Sequence, residues 1–231
     1  MDHFIKIYTH QASDYHKMVS PEDVEGNLLP ALENVTSLAG KRVLDLGTGT
    51  GRLPLLFGAQ TTQMVGLDLH WDMLREHQEQ RQKQNGPWGL VQGDMRCLPF
   101  PSRWAEVVTA GWAIGHFTGW YADEWQAQIG TVLTEMHRLA TPGGALIIIE
   151  TLSTGSATPA PPNDTLAQYY GWLENEWGFT RQEVSTDFQF NAVAEAVAHM
   201  EFFFPDLAAT IKVQGWSRVP EWTGVWGKII P

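Results

Sequence analysis

The sequence predicts an α/β fold built on a parallel sheet, because strand-like and helix-like segments alternate along the chain. Short apolar runs at 43–46, 65–67 and 145–150 are separated by segments that carry apolar residues at helical spacing. The chain has 231 residues, enough for one α/β domain that buries about 70% of its unfolded surface. We therefore expect a single domain over residues 1–231.

The remaining elements follow from apolar periodicity and from turn residues. An entry helix is predicted at 21–38, with Ser20 as its N-cap and Pro21 at its first position. A polar helix is predicted at 72–85, and a helix with a clear apolar stripe at 124–139. The pattern then predicts, in order, a loop at 153–163, a helix at 166–177, an extended segment at 179–190, a helix at 192–204 and a closing strand at 221–230.

The turn after the first strand contains three glycines at alternate positions, Gly47, Gly49 and Gly51, behind Asp45. Glycine adopts unusual dihedrals and lets the backbone approach a ligand closely, which indicates a small-molecule cradle. The dinucleotide fingerprint would place its third glycine one residue later, where this chain has Arg52. The match to an NAD site is therefore weak.

Two further acidic residues end or follow the next two strands. Asp68 stands where a carboxylate could accept both hydrogens of a ribose diol. Asp94 follows the third strand, at 89–91, where a carboxylate could accept from the amine of adenine. NAD enzymes have no need of this third acid.

Two features together resemble a known protein family. Three successive strands carry the acids Asp45, Asp68 and Asp94, and a further strand is preceded by Pro142-Gly143-Gly144. The chain resembles the class I S-adenosylmethionine (SAM) methyltransferases, and within them the small-molecule branch called type 11. The resemblance implies a Rossmann-like, doubly wound, seven-stranded, mostly parallel sheet whose last strand is antiparallel and lies beside the fifth. It also implies a helical cap at 1–40, a SAM-binding core at 41–151, and a substrate-side half at 152–231 with an insertion near 191–220.

The same resemblance implies the cofactor, S-adenosyl-L-methionine, whose product is S-adenosyl-L-homocysteine. The glycine loop would wrap the methionine part, Asp68 would hold the ribose hydroxyls, and Asp94 with Met95 would contact adenine. The implied cofactor-binding residues are Asp45, Gly47, Thr48, Gly49, Gly51, Asp68, Leu69, Met73, Asp94, Met95, Ala110 and Gly111.

Aromatic residues are abundant in the segments expected to flank the cleft. The chain has eleven Trp, and Trp112, Tyr169 and Tyr170 are candidates for contact with a substrate. Aromatic walls suit a dry site that holds reactants in line. The alternative is that each of these aromatics simply packs in the core.

His116, just after the fourth predicted strand at 105–109, is the candidate general base for an acceptor that must lose a proton. It could equally contact a helix start, neighbour the cofactor or be a structural histidine. Weaker candidates for the base are Glu150, His199 and Glu221, while Tyr8 and Tyr15 could close over the cofactor.

Several chemistries are disfavoured by what the sequence lacks. No histidine shows metal-ligand spacing, so we predict no metal. After the fourth strand the chain reads Ala110-Gly111-Trp112-Ala113 instead of the Asn/Asp-Pro-Pro-Tyr/Phe signature of amide and exocyclic-amine methyltransferases. Cys97 follows Arg96 and not Pro, unlike the nucleophile of cytosine C5 enzymes. The reaction that these exclusions leave is methyl transfer to an O, N or C atom of a small, partly apolar molecule.

The composition of the chain limits the kinds of partner that we expect it to bind. The formal charge of −11 is the wrong sign for attracting nucleic acid. The chain has one cysteine, and its start, Met1-Asp2-His3, lacks the pattern of an export signal; both observations favour a cytoplasmic protein. No apolar run is long enough to span a membrane. Oligomeric state is not indicated. An NAD-linked oxidoreductase and a non-catalytic SAM-binding module remain as alternatives.

Overall fold

The computed structural model describes residues 3–231. Met1 and Asp2 lie outside the described residues. They are the first two residues of the predicted helical cap and of the N-terminal segment that lacks an export pattern. The strands, in chain order, are β1 (Arg42–Leu46), β2 (Gln63–Asp68), β3 (Gly89–Gln92), β4 (Ala105–Gly111), β5 (Ala140–Thr154), β6 (Thr180–Ser185), β7 (Phe188–Gln189), β8 (Arg218–Val219) and β9 (Glu221–Ile229).

Seven of these strands form one sheet in the order β3-β2-β1-β4-β5-β9-β6, and β7 pairs with β8 separately. Strands β1 to β5 are parallel, whereas β9 is antiparallel to both β5 and β6. This confirms the predicted fold class, including a closing strand beside the fifth. The strand order reverses between β1 and β4, and ligands of open α/β sheets bind at such a point, at the carboxyl ends of the strands.

Helices cover both faces of the sheet. They are α1 (His3–His10), α2 (Ala12–Val19), α3 (Leu28–Val35), α4 (Arg52–Phe57), α5 (Trp71–Lys83), α6 (Phe117–Trp120), α7 (Trp125–Leu139), α8 (Asp164–Asn175), α9 (Val193–Phe203) and α10 (Pro205–Gln214). Two short 3-10 segments lie at Gly58–Gln60 and Ile114–His116. Within residues 3–231, none of the helices has the length and apolar character needed to cross a bilayer.

The core is split by the sheet into two apolar layers. Successive strand residues point to opposite faces, so Val43 packs in the layer that contains α3, while Leu44 packs in the layer that contains α7. The predicted stripe of α7 is fully buried in the second layer, and each such side chain contributes about 1.5–3 kcal/mol when buried. Its members are Ile129, Val132, Leu133, Met136 and Leu139.

The predicted entry helix is wrong at its start. Ser20 ends α2, donating its N–H to the carbonyl of His16. The helix α3 begins only at Leu28, because Asp23 has φ 65° and its carboxylate accepts the N–H groups of Asn27 and Leu28 at 2.8 and 3.1 Å. This cap stops the helix from extending back to Pro21.

The other predicted elements are present with shifted ends. The helices predicted at 72–85, 124–139, 166–177 and 192–204 correspond to α5, α7, α8 and α9. The extended segment at 179–190 is divided into β6 and β7, and the insertion near 191–220 contains the additional helix α10 and strand β8. Strand β5 is longer than the predicted 145–150 because pairing with β9 continues to Thr154.

The cap on α3 can be tested by substitution. Asp23→Ala removes both acceptor oxygens and places alanine at a left-handed φ, so we expect a loss of about 1–3 kcal/mol in the free energy of unfolding. Asp23→Asn keeps one acceptor oxygen in a residue that tolerates this φ, and should lose less than half as much. Urea unfolding followed by circular dichroism measures both. Equal losses in the two variants would contradict the capping role.

Candidate functional site

A cleft opens at the carboxyl ends of β1, β2 and β4, at the point where the strand order reverses. It is lined by ten of the predicted cofactor-binding residues, namely Asp45, Gly47, Thr48, Gly49, Asp68, Leu69, Met73, Asp94, Met95 and Gly111. The parallel sheet brings these residues together because each follows or ends a strand at the same edge.

The glycine loop forms the floor of this cleft in a conformation that other residues rarely adopt. Gly47, Gly49 and Gly51 have φ of 62°, 53° and 98°. A Cβ on Gly47 would lie 2.4 Å from the Cβ of Ala113, so the loop and the segment after β4 approach through the missing side chain.

Asp68 fixes the loop to the end of β2. Its carboxylate accepts the N–H of Gly49 and the N–H of His70, each at 2.8 Å. Burial raises the pKa of Asp68, and the two backbone donors act in the opposite direction. Carboxylate oxygens can each accept a second hydrogen bond, so Asp68 keeps acceptor capacity toward the cleft.

Asp45 is the most deeply buried of the three acids. Its side chain accepts a hydrogen bond of 2.7 Å from the hydroxyl of Thr109 on the neighbouring strand β4. Burial raises the pKa of Asp45 to about 7. The carboxyl group is therefore suited to hold a proton or to accept hydrogen bonds near neutral pH.

Asp94 is held by a partner that the sequence analysis did not identify. The guanidinium of Arg96 donates to its carboxylate from Nε at 3.0 Å and from Nη2 at 2.5 Å. These hydrogen bonds lower the pKa of Asp94, which therefore stays ionised. Arg96 also donates to the Tyr121 hydroxyl at 3.0 Å and to Gln128, which fixes this side of the cleft.

Two of the predicted cofactor residues do not line the cleft. Ala110 is fully buried within β4. Gly51 precedes α4, and a Cβ there would lie 2.4 Å from the ring of His77, so its lack of a side chain serves packing against α5. Periodic spacing alone could not separate this packing role from ligand contact.

A second cavity of about 670 Å³, which we call the acceptor chamber, adjoins the cleft. It is enclosed by α1, α2, the end of β5, the loop at 155–163 and the end of α9. Both cavities share the wall residues Tyr8, Tyr15, Arg52, Trp112, His116 and Trp120. A molecule in the chamber would therefore lie next to one in the cleft.

The three predicted substrate residues are placed differently. Trp112 lines both cavities and Tyr170 lines the chamber. Tyr169 has no exposed surface and packs against Trp125, at 6.2 Å between ring centroids. The two tyrosines are consecutive on α8, and neighbouring residues of a helix point about 100° apart.

His116 lies on the shared wall and forms a hydrogen bond with Tyr8 from α1. The Tyr8 hydroxyl oxygen and His116 Nε2 are 2.8 Å apart, and the His116 ring stacks on Trp120 at 5.0 Å. Of the weaker base candidates, Glu150 and Glu221 line the chamber, whereas His199 stacks on Phe190 in the insertion and lines neither cavity.

Comparison with known proteins identifies the central part of the chain. Residues 43–144, which contain the glycine loop and all three acids, match a family model described as a methyltransferase domain. The central part of the chain is thus similar to a methyltransferase domain. The resemblance predicted from the sequence is thereby confirmed.

Individual relatives of this methyltransferase domain are distant. The malonyl-acyl-carrier protein O-methyltransferase of Legionella pneumophila is 30% identical over 62% of this chain and 47% of its own length. The demethylmenaquinone methyltransferase of Thermus thermophilus is 28% identical over 61% of this chain and 57% of its own length. The chain thus spans about half the length of the curated relatives it matches.

The fold is shared with solved structures. A SAM-dependent methyltransferase from Aquifex aeolicus superposes over 100% of both chains, with a TM-score of 0.58 and 16% identity. At this identity the comparison concerns the fold of the domain, and the chemistry has to be argued from the site.

Arg52 lines both cavities, although in the sequence it stands out only as a departure from the dinucleotide fingerprint. Its Nη1 donates to Glu22 at 2.6 Å, and its guanidinium carbon lies 3.6 Å from the centroid of the Trp112 ring. Its Nη2 is buried without a hydrogen-bond partner in the described part of the chain. No local signal links residues 22, 52 and 112, which meet only through the fold.

Across residues 3–231 the structure shows no group of three or more His, Cys, Asp or Glu arranged for a metal ion. The absence of a metal stays a prediction from the sequence.

The packing role of Gly51 gives a stability test. Gly51→Ala combines a left-handed φ with overlap against His77, so we expect it to lower the free energy of unfolding by about 2–4 kcal/mol. Gly178→Ala is the matched control, because Gly178 has φ 69° with open space around it, and should cost about 1 kcal/mol. Urea unfolding compares them. A Gly51 variant as stable as the control would mean that the contact with His77 is unimportant.

Proposed function

We propose that this chain is a SAM-dependent methyltransferase that acts on a small molecule. The observation that carries the proposal is the pair of adjoining cavities, one lined by the glycine loop and three acids, the other lined by aromatic side chains. Methyl transfer needs donor and acceptor held in line in a dry site, and two cavities with a common wall meet that need.

The cleft has the donor set that a SAM molecule requires. Asp68 retains acceptor capacity for ribose hydroxyls, and ionised Asp94 for the adenine amine. The buried, unpartnered Nη2 of Arg52 suits the carboxylate of the methionine part, and the bare backbone of Gly47 and Gly49 gives that part room. The bound cofactor supplies an electrophilic methyl group on a sulfonium centre.

The chamber suits a small, partly apolar acceptor with O, N or C as the receiving atom. Its walls include Trp112, Trp120 and Tyr170. A nucleic acid is disfavoured by the formal charge of −11. We place the reaction in the cytoplasm because the single cysteine offers no internal disulfide.

Tyr8 and His116 are the groups proposed to move a proton. They are hydrogen-bonded to one another on the wall that both cavities share. A proton released by an acceptor would pass to His116 Nε2 directly or through the Tyr8 hydroxyl, which is general base catalysis by a positioned pair.

Two alternatives share parts of this site. An NAD-linked oxidoreductase would use Asp68 but leave the Asp94–Arg96 pair without a ligand. A non-catalytic SAM-binding module would use the whole cleft without turnover. Calorimetry with SAM, S-adenosylhomocysteine and NAD distinguishes the first alternative from the proposed function, because an oxidoreductase would bind NAD. Transfer of labelled methyl groups from SAM into a metabolite extract separates the second, and persistent absence of a labelled product would favour the module.

Asp68 gives a binding prediction. Asp68→Ala should weaken S-adenosylhomocysteine binding by about 1–3 kcal/mol, or roughly 5- to 150-fold, through loss of a charge-assisted hydrogen bond and of the loop tether. Asp72→Ala is the control, because Asp72 pairs with Arg75 on α5 and lines neither cavity. Calorimetry measures both. Unchanged affinity in the Asp68 variant would remove this residue from the site.

The Tyr8–His116 pair gives a kinetic prediction. Tyr8→Phe and His116→Asn should each lower kcat by about 10²-fold or more at saturating SAM, because proton transfer is lost. Binding of S-adenosylhomocysteine should change less than the rate does. Product formation across pH 6–9 checks this, and an undiminished rate for His116→Asn over that range would exclude it as the base.

A further inference from the structure

The acceptor chamber contains a buried carboxyl group that the rest of the described chain leaves incompletely satisfied. Glu221 is only 3% exposed, lines the chamber, and has its Oε2 buried without a hydrogen-bond partner among residues 3–231. The backbone of Glu221 already fixes the start of β9, since its N–H donates to Asp187 at 3.0 Å and its carbonyl accepts the N–H of Thr186 at 2.9 Å. The side chain also has hydrogen-bonding partners in Thr154 and Thr151, yet Oε2 remains unsatisfied among the described residues.

A buried acid with an unmade hydrogen bond costs free energy, so its presence indicates a missing partner. Burial raises the pKa of Glu221 well above its usual range, and the negative charge of Glu22 adds to that effect. A cation placed beside Glu221 would reverse both disadvantages, because it favours the ionised form and supplies N–H donors.

Arg52 lies close enough to oppose the rise in the pKa of Glu221, but its guanidinium group is engaged elsewhere. Among the described residues that line it, the carboxyl groups are those of Glu22, Glu150 and Glu221, and the guanidinium group is that of Arg52. Arg52 is paired with Glu22 at 2.6 Å and lies against Trp112. Glu150 accepts the N–H of Gly115 at 2.7 Å, which holds the segment that carries His116. Of these three carboxyl groups, that of Glu221 is the one with a buried oxygen that has no hydrogen-bond partner among residues 3–231.

The walls around this acid also suit a cation. Tyr15, Phe188 and Phe204 line the chamber together with Glu221, and aromatic faces attract ammonium groups at close range. The proposed methyl donor is itself a cation, so a carboxylate in the chamber would offset the repulsion between the donor and a second positive charge.

We propose that the acceptor chamber binds a small molecule that carries a basic amine on an apolar or aromatic body, with the ammonium group paired to Glu221. This inference rests on the proposed function, because it assigns the acceptor side of that site. On binding, the Glu221 carboxyl group releases its proton to solvent and the carboxylate accepts an N–H of the ammonium. The amine is the recognition group, whichever atom receives the methyl group.

The experiment uses matched probes and calorimetry. Phenethylamine and 2-phenylethanol share a carbon skeleton and differ in the charged group, and 3-phenylpropionate carries the opposite charge. Each probe is titrated into the full chain with and without S-adenosylhomocysteine. We expect phenethylamine to bind at least about tenfold more tightly than either of the others.

Variants locate the source of this preference. Glu221→Gln keeps the shape of the side chain and should remove the preference for the amine, whereas Glu221→Asp should weaken amine binding and keep part of the preference. Glu201→Gln is the control, because Glu201 is exposed on α9 and does not line the chamber. Circular dichroism establishes that each variant is folded.

The outcomes are distinguishable. Failure of S-adenosylhomocysteine to bind would refute the proposed function, while the amine preference would still be measured in the protein alone. Equal binding of amine and alcohol, absence of amine binding, or a preference that survives in Glu221→Gln would each overturn the assignment of Glu221. An amine preference lost only in the Glu221 variants would support it.

Discussion

The hydrogen bonds from the backbone to Asp68 are the interaction on which the site depends. They join the N–H groups of Gly49 and His70 to one carboxylate at the end of β2. The glycine loop has left-handed φ values at three positions; Gly51 N–H donates within the loop to Thr48, whereas the N–H of Gly49 depends on the Asp68 carboxylate. By holding the loop against β2, Asp68 also fixes where α4 starts and therefore where Arg52 projects into the shared wall.

Electrostatics then give the two cavities different characters. In the cleft, Asp94 is kept ionised by Arg96, and Asp68 is contacted by backbone donors. In the chamber, burial raises the pKa of Glu150 to about 8 and that of Glu221 well above its usual range. Burial also raises the pKa values of Asp45 and Asp68 in the cleft, but Asp45 accepts from Thr109 and Asp68 from two backbone N–H groups. What distinguishes the chamber is Oε2 of Glu221, which has no hydrogen-bond partner among residues 3–231.

Much of the central fold could be predicted because its signals are local. Alternate glycines, acids at strand ends and the apolar stripe of α7 are visible within a few residues of one another. The contacts that complete the site are not local. Tyr8 and His116 are 108 residues apart in the sequence, and Arg52 meets both Glu22 and Trp112 only through the fold. Periodicity indicates that a helix has an apolar face, but it does not specify which distant surface will cover that face.

The same limit explains why Gly51 and Tyr169 were predicted as site residues and instead pack against other side chains.

The most direct test of the two-cavity site is a crystal structure with S-adenosylhomocysteine bound. The account predicts that the ribose hydroxyls contact Asp68, that the adenine lies beside Asp94, and that the sulfur faces the wall formed by Tyr8, His116 and Trp112. A nucleoside bound elsewhere, or a sulfur directed away from the acceptor chamber, would contradict it.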